Sequence, residues 1–474
     1  MNQAEIPLIV DLDGTLIKTD LLLEGLYALL KRNISLIFII PFWLMRGKAC
    51  LKYQIATRFD IDAKSLPYNE PFVEYLHKEF HNGRELILAT ASYKILAQKV
   101  ANHLGIFSHV LASDKNLNLS AKQKLKVFLA EYGEKGFDYA GNAKPDLHIF
   151  PYARNALLVN PGNVTLKKAE KISTVHKVFK DTSNRFLVYL RAIRVYQWLK
   201  NLLLFIPLFT SHEWYNGSMV IKGIAGFTAF SLCASGGYLF NDFLDLPSDR
   251  NHPRKRNRPI ASGDISIISG SVLMIILPLM GLAIALFMNW TFFCILIGYL
   301  ALTLTYTIYL KSFMLVDVLV LAGLYTIRVI AGGEVMNVFP SFWLLAFSIF
   351  IFYSLALVKR CSELVTIDKI GDETARGRDY RVTDLSYLKA MGITSGYLSI
   401  IVVALYINSP EVTVLYYKPK VLWLICPLLL HWISRLWLKT GRGEMTDDPI
   451  MFALRDRVSQ YIAIASAVII FLAI

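Results

Sequence analysis

The sequence predicts an α/β domain at the N-terminus, followed by an all-α polytopic membrane bundle of about nine helices. Three observations carry this reading. Hydrophobic residues make up 55% of the 474 residues and charged residues 18%, against roughly 25% charged in an ordinary soluble protein; mean hydropathy is +0.44. Short apolar strands alternate with helical stretches in the first part of the chain only. Long apolar runs, each near the ~20 residues that cross a bilayer, fill the rest. At ~150 residues per domain the length admits about three soluble domains, or one beside a membrane body. The composition selects the second and excludes a disordered chain, a coiled coil and a typical soluble enzyme.

Fifty Lys and Arg against 36 Asp and Glu leave a net charge of +14. In a membrane protein such an excess collects in cytoplasmic loops beside anionic lipid heads, and part of it can grip a phosphorylated substrate. No nucleic-acid partner is expected. The five cysteines are scattered, odd in number and without CxxC spacing, which suggests neither a disulfide framework nor a zinc site.

Met1 to Val10 is too short, and too soon interrupted by Asp11, for a signal peptide. Ile6 to Val10 reads as a buried strand running into the turn Asp11-Leu-Asp-Gly-Thr15, with a helix from Asp20. A second strand is predicted around Glu85 to Ala89, and a strand end at Phe137 to Ala140. Strands alternating with helices argue for a parallel sheet. Ile34 to Leu44 is an apolar run flanked by Lys31, Arg32, Arg46 and Lys48. It is too short to span a bilayer. It either packs into its own core or lies on the membrane, and the basic and aromatic flanks favour the interface. The domain takes residues 1–165, and the polar, lysine-rich stretch 166–184 reads as a linker.

From 185 to 474 the apolar runs fall at roughly 187–210, 219–240, 267–288, 291–309, 315–331, 341–358, 390–408, 419–438 and 458–474. Basic residues gather in alternate connections. The second-to-third holds Arg250, Arg254, Lys255, Arg256 and Arg258, the sixth-to-seventh runs from Lys359 to Arg381, and the eighth-to-ninth from Arg435 to Arg457. Lys418 and Lys420 are the exception. The rich side is expected to be cytoplasmic. An odd number of spans then puts the N-terminal domain on that side, facing the polar mouth of the bundle, and the C-terminus on the opposite side.

Asp11 and Asp13 stand two apart at a strand end, so they point to one face. Adjacent carboxylates repel, and a hard cation such as Mg2+ relieves this. One can attack phosphorus while the other protonates a leaving oxygen. Gly14 lets the chain bend and offer backbone N–H groups to phosphate. The bland alternative is an Asx turn ending a strand. Leu86-Ile-Leu-Ala-Thr90 ends in a hydroxyl, Lys122 and Lys124 offer a cation, and Gly141-Asn142-Ala-Lys-Pro-Asp146 closes a strand with a further carboxylate.

This order resembles the haloacid dehalogenase-like phosphatase superfamily over about residues 5–155. The resemblance implies a Rossmann-like domain with a helical cap at about 20–80. It implies Asp11 as the nucleophile that becomes an aspartyl-phosphate and Asp13 as general acid/base. Thr90 and Lys124 would bind the transferring phosphoryl group, Lys124 being preferred to Lys122 by its distance to the Tyr132-Gly133 turn. Asp11, Asp13, Asn142 and Asp146 would hold Mg2+. The family usually has an acid where Asn142 stands, so the site has one negative charge fewer and a weaker grip on metal. A cap dipping into the membrane suits a lipid phosphate.

At the end of the second span stands Asn241-Asp242-Phe-Leu-Asp245-Leu-Pro-Ser-Asp249. Asp242, Asp245 and Asp249 form one stripe if the helix continues that far, and Pro247 can break it. Carboxylates near a membrane interface are costly and functional by default. They suit one or two Mg2+ ions carrying a diphosphate; the bland reading is a solvated loop paired with neighbouring arginines. The basic run His252 to Gly263 follows, with Lys255 and Arg258 placed to bind pyrophosphate oxygens. These runs resemble the UbiA-type intramembrane prenyltransferase superfamily over about residues 185–474.

Aromatic prenyltransferases of that superfamily carry a second acidic pair, DxxxD, after the sixth span. Here the place reads Lys359-Arg360-Cys-Ser-Glu363, and Asp368 and Asp372 have the spacing but lie further on. Lys359 and Glu363 can also be an i,i+4 ion pair. Arg194 to Asn201, Asp317 to Arg328, and Gly443 to Arg457 resemble the decaprenyl-phosphate phosphoribosyltransferase branch. That branch transfers ribose 5-phosphate from phosphoribosyl pyrophosphate to a polyprenyl phosphate. The resemblance implies that Asp242, Asp245 and Asp249 hold Mg2+ and the donor diphosphate. Asn241, Lys200, Lys255, Arg258, Lys359, Arg360 and Glu363 would bind phosphate or substrate. Arg328 would meet the lipid phosphate, and Asp317 can pair with Arg328 or Lys311. The fused phosphatase would then remove the 5-phosphate of the product. Two alternatives stand beside this: a transferase of prenyl groups from a polyprenyl diphosphate to an aromatic acceptor, and a non-catalytic N-terminal module that senses a phosphometabolite.

Overall fold

The computed structural model describes residues 6–115, 117–181, 184–370, 378–445 and 448–474; Asp372 and Asp447 lie outside the described residues. The chain divides into two units, Met1–Ile193 with Leu239–Leu273, and Arg194–Tyr238 with Met274–Ile474. This differs from a simple cut after the N-terminal domain. The stretch carrying Asp242, Asp245 and Asp249 groups with the N-terminal unit, because side chains of that domain bind it directly.

The first unit is built on six parallel strands: β1 (Leu8–Val10), β2 (Leu86–Tyr93), β3 (His109–Ser113), β4 (Asp138–Gly141), β5 (Ala156–Val159) and β6 (Val175–Phe179). Their order is β3-β2-β1-β4-β5-β6. Between β1 and β2 come α1 (Leu21–Arg32), α2 (Ile40–Met45), α3 (Lys48–Ala56) and α4 (Glu70–His81). The later crossovers carry α5 (Lys94–Leu104), α6 (Ala121–Tyr132) and α7 (Asn163–Ile172). Strand residues alternate between two cores. Leu8, Val10 and Leu88 pack with Phe72 and Leu96, whereas Ile9, Ile87 and Ala89 pack with Phe128 and Tyr139. Both faces are covered, so these strands read as continuous apolar runs. Each fully buried Leu or Ile contributes ~1.5–3 kcal/mol.

Two expectations change here. The stretch 166–184 is no linker, since it contributes most of α7 and all of β6. Lys167, Lys168 and Lys171 sit on α7 and Lys177 on the edge strand β6, where charge guards against pairing with another chain; Val175 and Phe179 turn inward, Phe179 against Phe72 and Tyr75. The helix from Asp20 forms as expected, with the Asp20 carboxylate accepting from Leu23 N at 3.0 Å.

The strand order reverses between β1 and β4, and ligands of open parallel sheets bind outside the strand ends at such a switch point. Val10 pairs with Ala140 on one side and Leu88 on the other. The residues that follow, Asp11, Asn142 and Thr90, therefore leave the sheet side by side.

The second unit is helical. Arg185–Ala192 (α8) closes the first unit, and Val195–Phe205 is a 3-10 stretch leading into α9 (Ile206–Thr210). The first predicted span is thus broken. Arg194 enters at φ +54, and Pro207 opens a new helix. Then follow α10 (Gly217–Leu244), α11 (Leu246–Arg250), α12 (Ile267–Met288), α13 (Trp290–Ile308), α14 (Val316–Met336), α15 (Phe342–Ile370), α16 (Leu385–Ile407), α17 (Pro410–Leu415), α18 (Ile425–Arg442), α19 (Pro449–Arg455) and α20 (Arg457–Ala473). Among the described residues seven helices are long and apolar enough to cross a membrane, and α19 with α20, bent by 78°, makes an eighth if it is one span. Among the described residues nine uninterrupted spans are therefore not present, but the chain is a multi-pass membrane protein. Two of these helices, α10 and α12, have their ends at Leu239–Leu244 and Ile267–Leu273 in the first unit.

Candidate active sites

The first site lies at the switch point. The Lys124 ammonium donates to Asp11 Oδ1 at 2.5 Å from a buried position on α6. Asp13 is held from three sides, by Leu21 N at 2.9 Å, Ser92 Oγ at 2.6 Å and Thr90 Oγ1 at 3.2 Å. Asp11, Asp13, Thr90 and Lys124 are brought together as expected. Lys122 is not part of this bond. Burial pushes the Asp11 carboxyl up to about 7; Lys124 opposes this, while Asp146 and Asp13 add to it. Burial, and after it the charge of Asp20, pushes Asp13 up to about 6.

Asn142 completes the set. A Cβ on Gly14, which has φ +79, would overlap the Asn142 amide, so glycine is needed there both for its conformation and for the close approach. Asn142 Oδ1 is buried and has no hydrogen-bond partner. An orphaned acceptor beside two carboxylates fits a hard divalent ion. Asp11, Asp13 and Asn142 are thus the residues that would hold Mg2+. Asp146 is a correction. It accepts from Tyr139 OH at 2.9 Å, Asn142 N at 3.0 Å and Ala143 N at 2.9 Å. Its lone pairs hold the loop that carries Asn142, and a Cβ on Gly141 would crowd it at 2.7 Å.

Sequence reasoning missed Ser92 and Lys52. Ser92 follows Thr90 on β2, and the outward turn of both was hidden by a shift in register between Thr90 and Tyr93. Lys52 comes from α3 and donates to Ala91 O at 2.6 Å and Asn118 Oδ1 at 2.7 Å. Burial lowers its pKa, while the charges of Asp13 and Asp20 raise it. No local pattern announces a lysine that reaches a site 40 residues along the chain.

The acidic motif lies in the same unit but takes a different shape from the expected stripe. The helix α10 stops at Leu244, and Asp245 leaves the helical conformation before α11 begins at Leu246. Asp242 and Asp249, both buried, converge on Arg258 Nη1 at 3.1 and 2.5 Å. Burial raises the Asp249 carboxyl and Arg258 opposes the rise. Asp245 turns away to Lys31 Nζ at 3.0 Å. Among the described residues no three His, Cys, Asp or Glu side chains converge on one point. Arg258 stands where a cation shared by two buried carboxylates belongs, so Asp242 and Asp249 fit Mg2+ as a pair. Asn241 is half-buried and Lys255 exposed beside them.

In the second unit the predicted cations separate by role. Lys200 pairs with Asp448, which sequence reasoning had not singled out, and lies 5.9 Å from the Tyr325 ring. Burial would raise the Asp448 carboxyl, but Lys200 and Lys359 together hold it below the usual range. Arg328 donates to Asn201 Oδ1 at 2.8 Å, to Tyr299 OH at 3.1 Å and to Leu324 O, with the Phe230 ring 5.0 Å away. Asp317 pairs with neither Arg328 nor Lys311. It binds Arg360 and Tyr380, and Arg360 also reaches Glu363 at 2.6 Å and Tyr306 OH at 3.1 Å. Glu363 takes Arg378 as well, in place of Lys359. A buried guanidinium with that many acceptors is a structural tie, so Arg360 and Glu363 are corrected from phosphate binders to parts of the frame.

Comparison with known proteins separates two parts of the chain. Residues 203–455 match the UbiA prenyltransferase family and residues 8–132 the haloacid dehalogenase-like hydrolases. An uncharacterised protein of Sinorhizobium fredii is 37% identical over 469 residues, 98% of this chain and 90% of the relative. Decaprenyl-phosphate phosphoribosyltransferase of Mycobacterium tuberculosis is 31% identical over 282 residues, 58% of this chain and 90% of that protein. A solved UbiA homolog from Archaeoglobus fulgidus, bound to GPP and Mg2+, is 17% identical with a TM-score of 0.46, over 60% of this chain and 97% of that one. The chain belongs to the UbiA prenyltransferase family, and ahead of that family's segment it carries a haloacid dehalogenase-like hydrolase domain.

Proposed function

We propose that the transferase moves 5-phosphoribose from phosphoribosyl pyrophosphate to a polyprenyl phosphate, and that the phosphatase domain then removes the 5-phosphate of the product. The observation that carries this is Lys359 where the aromatic prenyltransferases place an acid, with the charges of Lys359 and Lys200 both acting on Asp448. Two cations gathered about Asp448 suit phosphate oxygens of an acceptor. Similarity to decaprenyl-phosphate phosphoribosyltransferase over nine-tenths of that protein supports the same reading. Asp242 and Asp249 would hold Mg2+, which when bound neutralises the departing diphosphate. Arg258 would release those carboxylates and, with Lys255, turn to the phosphate oxygens. In the phosphatase domain, Asp11 attacks the phosphoryl group, Asp13 protonates the leaving oxygen, and Lys124 with Thr90 neutralises and orients the phosphate oxygens. Water then splits the aspartyl-phosphate.

The phosphatase domain is assigned to the cytoplasmic side, where the basic loops gather. Glu24 and Arg250 bond within one unit, so residues 1–193 and the acidic motif share a membrane face. Between them α10 crosses once, so the broken stretch 195–210 supplies the return crossing. With eight further spans this leaves the C-terminus on the opposite side.

The test supplies the purified protein with Mg2+, a polyprenyl phosphate and ribose-labelled phosphoribosyl pyrophosphate. Label is expected in the lipid phase without its 5-phosphate, and with that phosphate in Asp11→Asn. Absence of lipid label, together with prenyl transfer to an aromatic acceptor, would overturn the phosphoribosyl reading. An unchanged product in Asp11→Asn would make the N-terminal domain a sensor, the one reading that Asn142 favours.

A further inference from the structure

The segment between α1 and α3 has no buried residue from Ile34 to Met45. Phe38, Phe42 and Met45 are 75%, 66% and 84% exposed, and Ile37 and Leu44 are exposed beside them. A soluble domain does not leave such a contiguous apolar tip in water. What covers it follows from where α1 is fixed. Glu24, Tyr27 and Lys31 stand at i, i+3 and i+7, on one stripe of the helix. Glu24 bonds Arg250 with both oxygens, at 2.7 and 2.5 Å. The Tyr27 ring stacks on Phe243 at 4.5 Å and its hydroxyl meets Ser271 Oγ at 2.6 Å. Lys31 bonds Asp245 at 3.0 Å.

Phe243 lies in the last turn of α10 and Ser271 in the second turn of α12. Both helices are long and apolar enough to span a bilayer. Their ends mark where hydrocarbon gives way to headgroups, and α1 is pinned at that level. On α12, Ile268 and Val272 flank Ser271 and are exposed, as lipid-facing residues are. The apolar tip begins three residues after Lys31, at the same boundary. Its charge fits as well. From Gly25 to Phe59 the chain has six basic residues, among them Arg32, Arg46 and Lys48, and no acid. Arg58 sits over the Trp43 ring at 5.2 Å. A short 3-10 turn and a six-residue helix cannot cross the hydrocarbon, but they can lie in the interface with cations toward anionic headgroups.

We propose that Ile34–Met45 is a membrane anchor that inserts its apolar face into the anionic leaflet beside α10 and α12. It holds α3, and with it Lys52, at the lipid surface. The claim is independent of what either catalytic site does.

The test uses the full chain in phosphatidylcholine vesicles containing phosphatidylglycerol. The photoreactive residue p-benzoylphenylalanine, close in shape to phenylalanine, replaces Phe42, and separately Met45. The same probe at Ile276, exposed on α12, reports lipid, and at Gln98, exposed on α5, reports water. After illumination, mass spectrometry is expected to find lipid adducts at Phe42 and Met45 at a yield comparable with Ile276, with phosphatidylglycerol enriched. Adducts as rare as those at Gln98 would overturn the proposal. So would crosslinks to a second copy of the chain, which would make the tip a protein interface.

Discussion

Glu24 of the phosphatase domain and Arg250 of the transferase's acidic motif form a buried two-point ion pair, both side chains being about one-twentieth exposed. The Thr19 hydroxyl also donates to Glu24, and Arg250 Nε donates to Ala261 O at 3.1 Å. The pair therefore ties three things: the loop after β1 that carries Asp13, the helix α1, and the turn that carries Asp249 and Arg258.

Removing one partner of a buried pair leaves the other charge uncompensated, at ~3–5 kcal/mol. Glu24→Ala is expected to lower the thermal unfolding temperature of the detergent-solubilised protein by several degrees and to reduce transfer activity. Lys31→Ala removes a pair that is 43% exposed on the lysine side, and such pairs give ~0–1 kcal/mol. A Glu24→Ala melt no lower than that of Lys31→Ala would contradict the burial argument.

On the proposed function, Asn142 would set the metal demand of the N-terminal domain. It offers one neutral oxygen, unpartnered in the structure, where a carboxylate would add a charge. Asn142→Asp should lower the Mg2+ concentration for half-maximal hydrolysis by ~10-fold, since ligand charge tunes affinity for hard cations. The check is a Mg2+ titration of aryl phosphate hydrolysis in both forms. Equal half-saturation would mean that Asn142 is not a ligand.

Much of this site was legible in the sequence, because its groups follow strand ends. Parallel strands bring residues after β1, β2 and β4 together whatever the helices between them do, so Asp11, Thr90 and Asn142 could be placed from strand ends alone. The acidic motif was legible in composition and not in shape. Three and four residue spacing promises a stripe on a continuous helix, but Pro247 breaks the helix and sends Asp245 to Lys31, a partner 214 residues away. The frame around Arg360 was not legible, since Asp317, Tyr306 and Tyr380 come from separate stretches of chain. The lysine-rich stretch 166–184 misled for another reason. Its lysines lie mostly on the helix α7 and one on the edge strand β6, and polarity alone cannot tell a solvated helix face or an edge from a linker.

Asp138 predicts how the phosphatase domain responds to acid. It is buried on β4, and Arg84 and Arg154 hold it. Burial alone would raise its carboxyl, but hydrogen bonds from Arg154 and Arg84 outweigh this and set it below the ordinary 3.8. A depressed folded pKa gives stability that is present above the unfolded value and lost as pH falls through the folded one. Wild type and Asp138→Asn should therefore differ most at neutral pH, by ~3–5 kcal/mol for a broken buried pair. The gap should close below about pH 4. Melts of both forms across that range check it, and a gap independent of pH would show that lost hydrogen bonds, not charge, dominate.

The exposed tip of the cap bears on substrate choice. If the phosphatase acts on a phosphate carried by a lipid, the anchor keeps active site and substrate on one surface, which raises their effective concentration. Phe38→Ser, Phe42→Ser and Met45→Ser together remove the largest exposed apolar groups of that tip without touching Asp11, Asp13 or Lys124. Hydrolysis of a polyprenyl-linked phosphate in vesicles should fall by ~10-fold or more, in line with the loss of a tethering contact. Hydrolysis of a water-soluble aryl phosphate should stay unchanged, because it meets the site from solution. Loss of both activities would indicate a misfolded cap. Retention of both would show that the fixed contacts of α1 already place the site at the lipid surface without help from the tip.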